Sequence, residues 1–461
     1  VQALVGQCRG RRGAMAAVVG QPMSWLWPGA SPPTAVTWPR CPRGGARTWA
    51  APLPVPGRTC RRWQSTCGRD DVRSGTLPLW PTTAGICCAR AAARARVVRR
   101  RFRKLSRRVL QPYAIEPINP FLVEMKATVQ RLAERGSGML DASQSHQELQ
   151  SLLVKAGADG STEGRRAWRE FLCTTEGLSR FCSCLVLGEE ALKQAAGSRQ
   201  AFADVLQEQG IVVGVRADTG LYPLNGYGER GTDGYVDLGK RCREYYQCGV
   251  RLAKWRLEVL CTMELPTDIA VWENCTRVGQ AARVCQANGL AFAAEVDIVM
   301  GPGNHSLERT SYVAEKVYSQ VIRMMNEYDA NFEAAVLVTG ACAAGLEAGN
   351  VRLEDAAEFT ARSLRRTAPP ALGGIHILPG ELSPEIAARS LRAIQEATVD
   401  TPWVPMPVYS TAFLAPALAA WAAEGDVESA RSKLLRFLEA SSQSQLGMLE
   451  EDTLPQPPSS E

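Results

Sequence analysis

From residue 113 onward, the chain alternates short apolar runs with longer stretches in which apolar residues recur every three to four positions. The short runs are typical of buried strands, and the longer stretches have the period of amphipathic helices. Eight such runs are present, at residues 138–142, 181–187, 211–217, 252–260, 291–298, 332–338, 374–378 and 404–409. Because each run is followed by a helical or loop-plus-helical stretch, the pattern predicts eight parallel strands.

Two of the intervening helices are especially clear. Residues 306–326 place Val313, Val317 and Val321 on one face, and residues 353–364 begin with acidic side chains and are followed by two arginines. Eight β/α units in about 300 residues fit one α/β (β/α)8 TIM barrel better than an open doubly wound sheet. The reactive end of such a barrel is formed by the carboxyl ends of its strands.

Charge divides the chain into unlike parts. Residues 1–112 carry 21 basic and 2 acidic side chains, whereas the remainder carries 32 basic and 45 acidic ones. The net charge of +6 therefore reflects a basic leader of low structure, and nucleic acid is not an expected partner of the barrel. The predicted division is a leader at 1–112, a barrel at 113–440 and a tail containing Pro and Ser at 441–461.

The leader is rich in Arg and almost free of acid, which is typical of an organellar transit peptide. The alternative is a leader that stays attached and binds RNA, lipid or a large organellar assembly through its charge. Met15 and Met23 are candidate initiators, so residues 1–14 are a candidate untranslated segment. No run of 18 apolar residues occurs, and no transmembrane helix is expected.

Sequence motifs indicate neither a metal site nor a nucleotide site. The nine cysteines after the leader form no CxxC pair, which predicts a reducing compartment, no metal site and no cofactor. Cys182 and Cys184 are two residues apart in an apolar run, so we expect buried thiols on one strand face. His376 is expected to be a satisfied core residue. The GxGxxG match at 226–231 does not join a strand directly to a helix, and we reject a dinucleotide site there.

Charged residues alternate near the ends of three predicted strands. They are Arg216 and Asp218, Lys254 and Arg256, and Glu295 and Asp297. By the two-residue period of a strand, each pair shares a face, while Trp255 and Val296 point the other way. Three cations and three anions would then converge at the barrel mouth. Both a polar active site and a self-neutralised ion cluster fit this pattern.

The same region resembles class I fructose-bisphosphate aldolase. The segments that carry the resemblance are 252–256 (LAKWR), 286–290 (QANGL), 294–298 (AEVDI), 312–317 (YVAEKV) and 364–371 (LRRTAPPA). The resemblance extends from about residue 118 to 440 and implies a TIM barrel that is usually a homotetramer. It also implies a sugar phosphate as ligand. Because plastids commonly hold a member of this family, we expect the plastid stroma, with the mitochondrial matrix as the alternative.

The resemblance implies catalytic roles for Asp218, Lys254, Glu295 and Asp297, which are retained with Asp297 as a shortened carboxylate. It implies substrate binding by a second set, namely Arg216, Arg256, Ser145 and Gly380. Other family positions have changed. The lysine that forms the Schiff base corresponds to Val338, whose side chain cannot form an imine. The first-strand aspartate corresponds to Ser143, although Asp141 lies two residues earlier on the same face.

The phosphate-binding positions of the family are altered as well. They correspond here to Pro379, Thr411 and Leu152, none of which carries a charge. Two hypotheses follow. The favoured one is an aldolase-like protein without aldol cleavage that has a structural, binding or regulatory role, as a homo-oligomer or a subunit of an organellar assembly. The alternative is an active lyase acting on fructose 1,6-bisphosphate or another ketose phosphate. There, burial beside Arg256 would lower the pKa of Lys254, and Glu295 would shuttle protons.

Overall fold

The computed structural model describes residues 119–448, apart from residues 198, 350 and 425–426. The leader predicted at 1–112 and most of the tail predicted at 441–461 lie outside the described residues. The hypotheses about targeting and about a leader that stays attached therefore remain predictions.

Eight parallel strands close into a barrel, as the hydrophobic pattern predicted. In chain order the ten strands are β1 (Gly138–Ala142), β2 (Cys182–Leu187), β3 (Val212–Arg216), β4 (Gly220–Pro223), β5 (Arg230–Asp233), β6 (Leu252–Cys261), β7 (Ala291–Met300), β8 (Ala335–Gly340), β9 (Gly374–Leu378) and β10 (Pro405–Tyr409). The barrel consists of β1 to β3 and β6 to β10, with β10 pairing back to β1. The remaining two strands, β4 and β5, form an antiparallel hairpin.

Helices follow the barrel strands. They are α1 (Leu122–Leu132), α2 (His146–Lys155), α3 (Thr162–Cys173), α4 (Glu189–Leu192), α5 (Phe202–Glu208), α6 (Leu238–Gln247), α7 (Asp268–Ala287), α8 (Leu307–Glu327), α9 (Leu353–Thr367), α10 (Pro384–Ala397), α11 (Thr411–Glu424) and α12 (Val427–Gln445). Short 3-10 turns at Leu178–Arg180 and Phe332–Ala334 precede β2 and β8. Helix α12 extends five residues beyond the barrel boundary predicted at residue 440.

Two apolar cores follow from the alternation of side chains along the strands. The larger lies between the strands and the helices, and it includes Trp255 and Val296, which point away from the barrel interior as predicted. The smaller fills the interior with residues such as Val186, Val336 and Val338. Helix α1 contributes Met125, Val129 and Leu132 to this interior core, so it closes one end of the barrel.

The hairpin of β4 and β5 was not predicted, and it contains the GxGxxG match. Residues 226–231 run through the hairpin loop into β5. The loop is closed by the Leu224 N–H, which donates to the Glu229 carbonyl at 2.9 Å. Thr232 anchors the hairpin to the barrel, because its hydroxyl donates to the carbonyl of Arg256 at 2.7 Å. The glycines therefore belong to a strand-to-strand connection, which does not present the helix N-terminus of a dinucleotide site.

The prediction for the two cysteines of β2 was half wrong. Cys182 and Cys184 are both buried free thiols. They belong to different cores, however, since Cys182 packs toward the helices and Cys184 into the barrel interior. The register with β1 shifts between them, and the Ser183 hydroxyl donates to the carbonyl of Gly138 at 3.1 Å. Such a bulge adds one residue and reverses the facing of the residues after it.

Candidate functional site

A polar cavity of about 520 Å³ opens where the barrel strands end. Its lining comes from the ends of β1 and β3, from the first half of β6 and β7, from one face of α2, and from residues 410–411 at the start of α11. Four of the residues predicted from sequence contribute to it, namely Arg216, Lys254, Arg256 and Glu295. The location agrees with the general rule that the reactive face of a TIM barrel is at the carboxyl ends of the strands.

Lys254 is fully enclosed at the base of this cavity. Its Nζ lies 2.5 Å from Asp141 Oδ2 and 2.8 Å from Glu295 Oε2. Burial on its own would lower the pKa of Lys254, but the charges and hydrogen bonds of Asp141 and Glu295 raise it above its usual value. This direction is opposite to the lowered Lys254 pKa that the active-lyase alternative requires. The sequence analysis noted Asp141 on the first strand but did not predict its contact with this amine.

The two carboxylates that contact Lys254 have opposite pKa shifts. Burial works against ionisation of Asp141, yet Lys254 and the Ser143 hydroxyl, which donates at 2.5 Å, hold its pKa below the usual range. For Glu295, burial prevails over Lys254 and Arg256 and raises the pKa. Carboxyl groups whose pKa values are pushed apart can divide acid and base roles. Here the site favours the anionic form of Asp141 more strongly than that of Glu295.

Arg256 is surrounded by carboxylates. Its Nη2 lies 2.7 Å from Asp297 Oδ2 and 3.2 Å from Glu258 Oε2, and its Nε lies 3.7 Å from Glu295 Oε1. Glu258 is buried and also pairs with Arg230 at 2.5 Å. Sequence reasoning missed Glu258, although it continues the two-residue period of Lys254 and Arg256 on β6. Asp297 contacts Arg256 but does not line the cavity.

Arg216, on β3, lies in the same charged wall of the cavity as Lys254, Arg256 and Glu295. Its Nε donates to Asp218 Oδ1 at 2.8 Å, and its Nη1 lies 3.6 Å from Glu148 Oε2. Asp218 is buried, and its second oxygen accepts from the backbone N–H of Arg256 at 3.2 Å. Glu148, on α2, was not predicted because nothing in the sequence places that helix beside β3.

Val338 lies in β8 between Glu295 and His376 on the neighbouring strands. Its side chain is fully buried in the interior core. His376 is also fully buried, but neither ring nitrogen is in hydrogen-bonding geometry with any group that the structure describes. Burial lowers its pKa to about 4, against a slight opposing effect of the Leu132 backbone. The prediction of a core histidine was right about burial and wrong about satisfied ring nitrogens.

Several residues expected to bind substrate lie elsewhere or have local roles. The Ser145 hydroxyl caps α2 by accepting from the Glu148 N–H at 3.2 Å, and it does not line the cavity. Gly380 follows β9 with a φ of +62°, in the loop after Pro379, and is also absent from the lining. The uncharged Leu152 and Thr411 do line it. The cavity wall is therefore charged at its base and uncharged at these two positions.

A metal centre and a membrane span are both missing from the described part of the chain. Within residues 119–448 as described, no group of three His, Cys, Asp or Glu side chains is placed to hold a metal ion. No helix in the same region is long and apolar enough to cross a membrane.

Comparison with known proteins identifies the family. The sequence profile of class I fructose-bisphosphate aldolase matches residues 124–459. The fructose-bisphosphate aldolase of Dictyostelium discoideum is 34% identical over 333 residues, which cover 71% of this chain and 93% of the relative. The cytosolic fructose-bisphosphate aldolase 4 of Arabidopsis thaliana is 32% identical over 327 residues, covering 70% of this chain and 83% of the relative.

A solved structure gives the same result for the fold. The fructose-bisphosphate aldolase of Plasmodium falciparum superimposes with a TM-score of 0.69 at 32% identity, covering 72% of this chain and 97% of that one. The profile, the sequence relatives and the barrel agree over the region that contains the charged wall. The chain therefore belongs to the class I fructose-bisphosphate aldolase family, as a diverged member with a valine at the position of the Schiff-base lysine.

Proposed function

We propose that this protein retains the aldolase barrel as a binding or regulatory component and does not cleave carbon–carbon bonds through a Schiff base. The single observation that carries the proposal is that the barrel interior offers no free amine at Val338 or at Lys254. Val338 offers no amine, and Lys254 is held between Asp141 and Glu295. An amine attacks a ketone only in its neutral form, and the raised pKa of Lys254 keeps that form scarcer than in a free lysine.

The second candidate is the active lyase with Lys254 as relocated nucleophile. The contact between Lys254 and Glu295 supports it, since the raised pKa of Glu295 favours proton uptake and aldol chemistry also requires proton transfer. The protonation of Lys254 works against it. Leu152 and Thr411 also work against this candidate, because uncharged side chains at the cavity wall form no ion pair with a phosphate.

Both candidates are decided by one experiment on the purified protein. We expect no cleavage of fructose 1,6-bisphosphate above the rate of a Lys254→Met variant, which loses the amine but keeps much of the volume. We also expect no adduct after borohydride treatment with dihydroxyacetone phosphate, as measured by mass spectrometry. Turnover that disappears in Lys254→Met, together with an adduct mapped to Lys254, would establish the lyase instead.

The plastid stroma is our proposal for the location, with the mitochondrial matrix as the alternative. The Arg-rich, acid-poor composition of residues 1–112 supports an organellar location of either kind, and the plastid comes first because plastids commonly hold a member of this family. A fluorescent protein fused behind these residues should accumulate in plastids, and the mature N-terminus should map near residue 112. Accumulation in mitochondria would establish the alternative, and an intact leader on the mature protein would favour a leader that binds RNA, lipid or an assembly.

We further propose that the barrel forms a homo-oligomer, on its own or within a larger organellar assembly. Support comes from a groove of about 480 Å³ beside α7 and α8, which is bordered by Ile269 and Trp272. These side chains are 73% and 56% exposed, and large apolar groups left open to water commonly mark contact surfaces. The native mass of the mature protein should exceed the monomer mass, and Trp272→Glu should reduce it.

A further inference from the structure

Arg216 is bound on two sides by carboxylates of its own chain. Asp218 accepts a hydrogen bond from its Nε at 2.8 Å on the buried side, and Glu148 lies 3.6 Å from its Nη1 on the side of the cavity. The Asp218 side chain is fully buried, whereas that of Glu148 is 54% exposed. Glu148 therefore lies where an anion entering from solvent would meet this guanidinium.

The Glu148 carboxylate is fixed in place by the start of α2. Its Oε2 accepts from the Ser145 N–H at 2.8 Å, and the Ser145 hydroxyl accepts from the Glu148 N–H, which together form a capping box. Burial is the largest single influence and opposes ionisation, but the hydrogen bonds with Ser145 and the charges of Arg216 and Arg256 together outweigh it and hold the pKa of Glu148 below its usual range. The anion is thus present at neutral pH and is already oriented.

The other cations of the cavity are occupied in the same way. Lys254 is paired with Asp141 and Glu295, and Arg256 with three carboxylates. Lys155, at the end of α2, is the one cation of the lining for which the described residues provide no carboxylate partner. A phosphate that bound Arg216, Lys254 or Arg256 would therefore have to displace internal carboxylates or stand close to them, and like charges at short range repel strongly.

We propose that Glu148 is a specificity-determining residue. Its carboxylate occupies the position on Arg216 at which a phosphate would bind, so that the cavity selects uncharged polyhydroxy compounds. This inference rests on the proposed binding role. The uncharged part of the lining suits such ligands, because Gln144, Gln147, Ser151, Ser410 and Thr411 supply amides and hydroxyls that can donate and accept hydrogen bonds. The volume of about 520 Å³ is within the range of small-molecule sites.

The test compares wild type with Glu148→Gln, in which the amide oxygen can still close the capping box but the charge is gone. Binding of inorganic phosphate and of fructose is measured by titration calorimetry on the full-length chain. We expect fructose to bind the wild type and phosphate to bind Glu148→Gln about tenfold more tightly than the wild type, or better. The double variant Glu148→Gln with Arg216→Gln should lose that gain, because the gain depends on the freed guanidinium.

Glu163→Gln is the matched control. Glu163 is also a first-turn glutamate, on α3, and is paired with Arg166 at 2.6 Å outside the cavity. Its replacement should leave phosphate binding unchanged. Equal phosphate affinities in wild type and Glu148→Gln, or no binding of fructose by the wild type, would overturn the inference. Inorganic phosphate cannot be cleaved, so this result is independent of the turnover assay that decides whether the protein is a lyase.

Discussion

The buried histidine of the barrel interior makes the stability of this protein depend on pH in a calculable way. His376 is fully buried with neither ring nitrogen in good hydrogen-bonding geometry, and burial outweighs the Leu132 backbone and lowers its pKa from 6.5 to about 4. Below pH 6.5 the unfolded chain takes up a proton at this residue while the folded chain does not. Acidification therefore favours unfolding, and the effect is complete near pH 4.

The size of the effect follows from the two pKa values. Proton uptake by the unfolded chain alone lowers the free energy of unfolding by about 2 kcal/mol at pH 5 and by only about 0.2 kcal/mol at pH 7. The variant His376→Met removes the titrating group and fills the apolar interior with a flexible side chain of similar size. We expect the variant to gain about 2 kcal/mol relative to wild type between pH 7 and pH 5.

Urea unfolding followed by tryptophan fluorescence at pH 7, 6 and 5 gives this difference directly. A fixed offset between the two proteins reports packing, and only the change of that offset with pH reports titration. His146→Gln, at an exposed position on α2, is the control and should follow the pH dependence of the wild type. Parallel pH curves for wild type and His376→Met would refute the reasoning, since the ring would then be protonated equally in both states.

Two further changes test the packing and the ion cluster. Asp141→Asn leaves Lys254 with Glu295 alone, and we expect a loss of about 1–3 kcal/mol in urea unfolding at pH 7; an unchanged midpoint would show that the pair contributes nothing to stability. Gly279→Ala would place its Cβ 2.6 Å from the Met324 carbonyl, so an overpacking cost of about 1–3 kcal/mol should exceed the gain in helix propensity of about 1 kcal/mol and lower Tm. Gly239→Ala, where the nearest atom is 3.6 Å away, is the control and should raise Tm.

The barrel could be predicted because its strands are apolar runs of the right length. The run at 374–378 coincides with β9, and that at 252–260 falls one residue short of the end of β6. The hairpin was missed because each strand has only four residues and Arg230–Asp233 contains no large apolar side chain. Its order comes from backbone pairing and from the Thr232 hydroxyl, neither of which leaves a periodic signal in the sequence.

The site was predictable along each strand but not between elements. The two-residue period correctly placed Lys254 beside Arg256 on one face, and the contact between Lys254 and Glu295 follows from adjacent strands. Glu148 could not be found in this way, because its position depends on how α2 packs over β3. The two-residue period gave one wrong prediction, because the bulge at Ser183 places Cys182 and Cys184 on opposite faces of β2.

The changes at Val338 and Asp141 are consistent with each other, because together they leave the buried charges at the barrel mouth paired. A valine at 338 removes a cation, and the first-strand carboxylate lies at Asp141, one two-residue step deeper than Ser143. From there it reaches Lys254 at 2.5 Å. Losing a reactive lysine without such an adjustment would leave charges unpaired, and each buried unpaired charge costs several kcal/mol. Lys254 and Arg256 both have carboxylate partners at the base of the cavity, so the cations that remain there are paired.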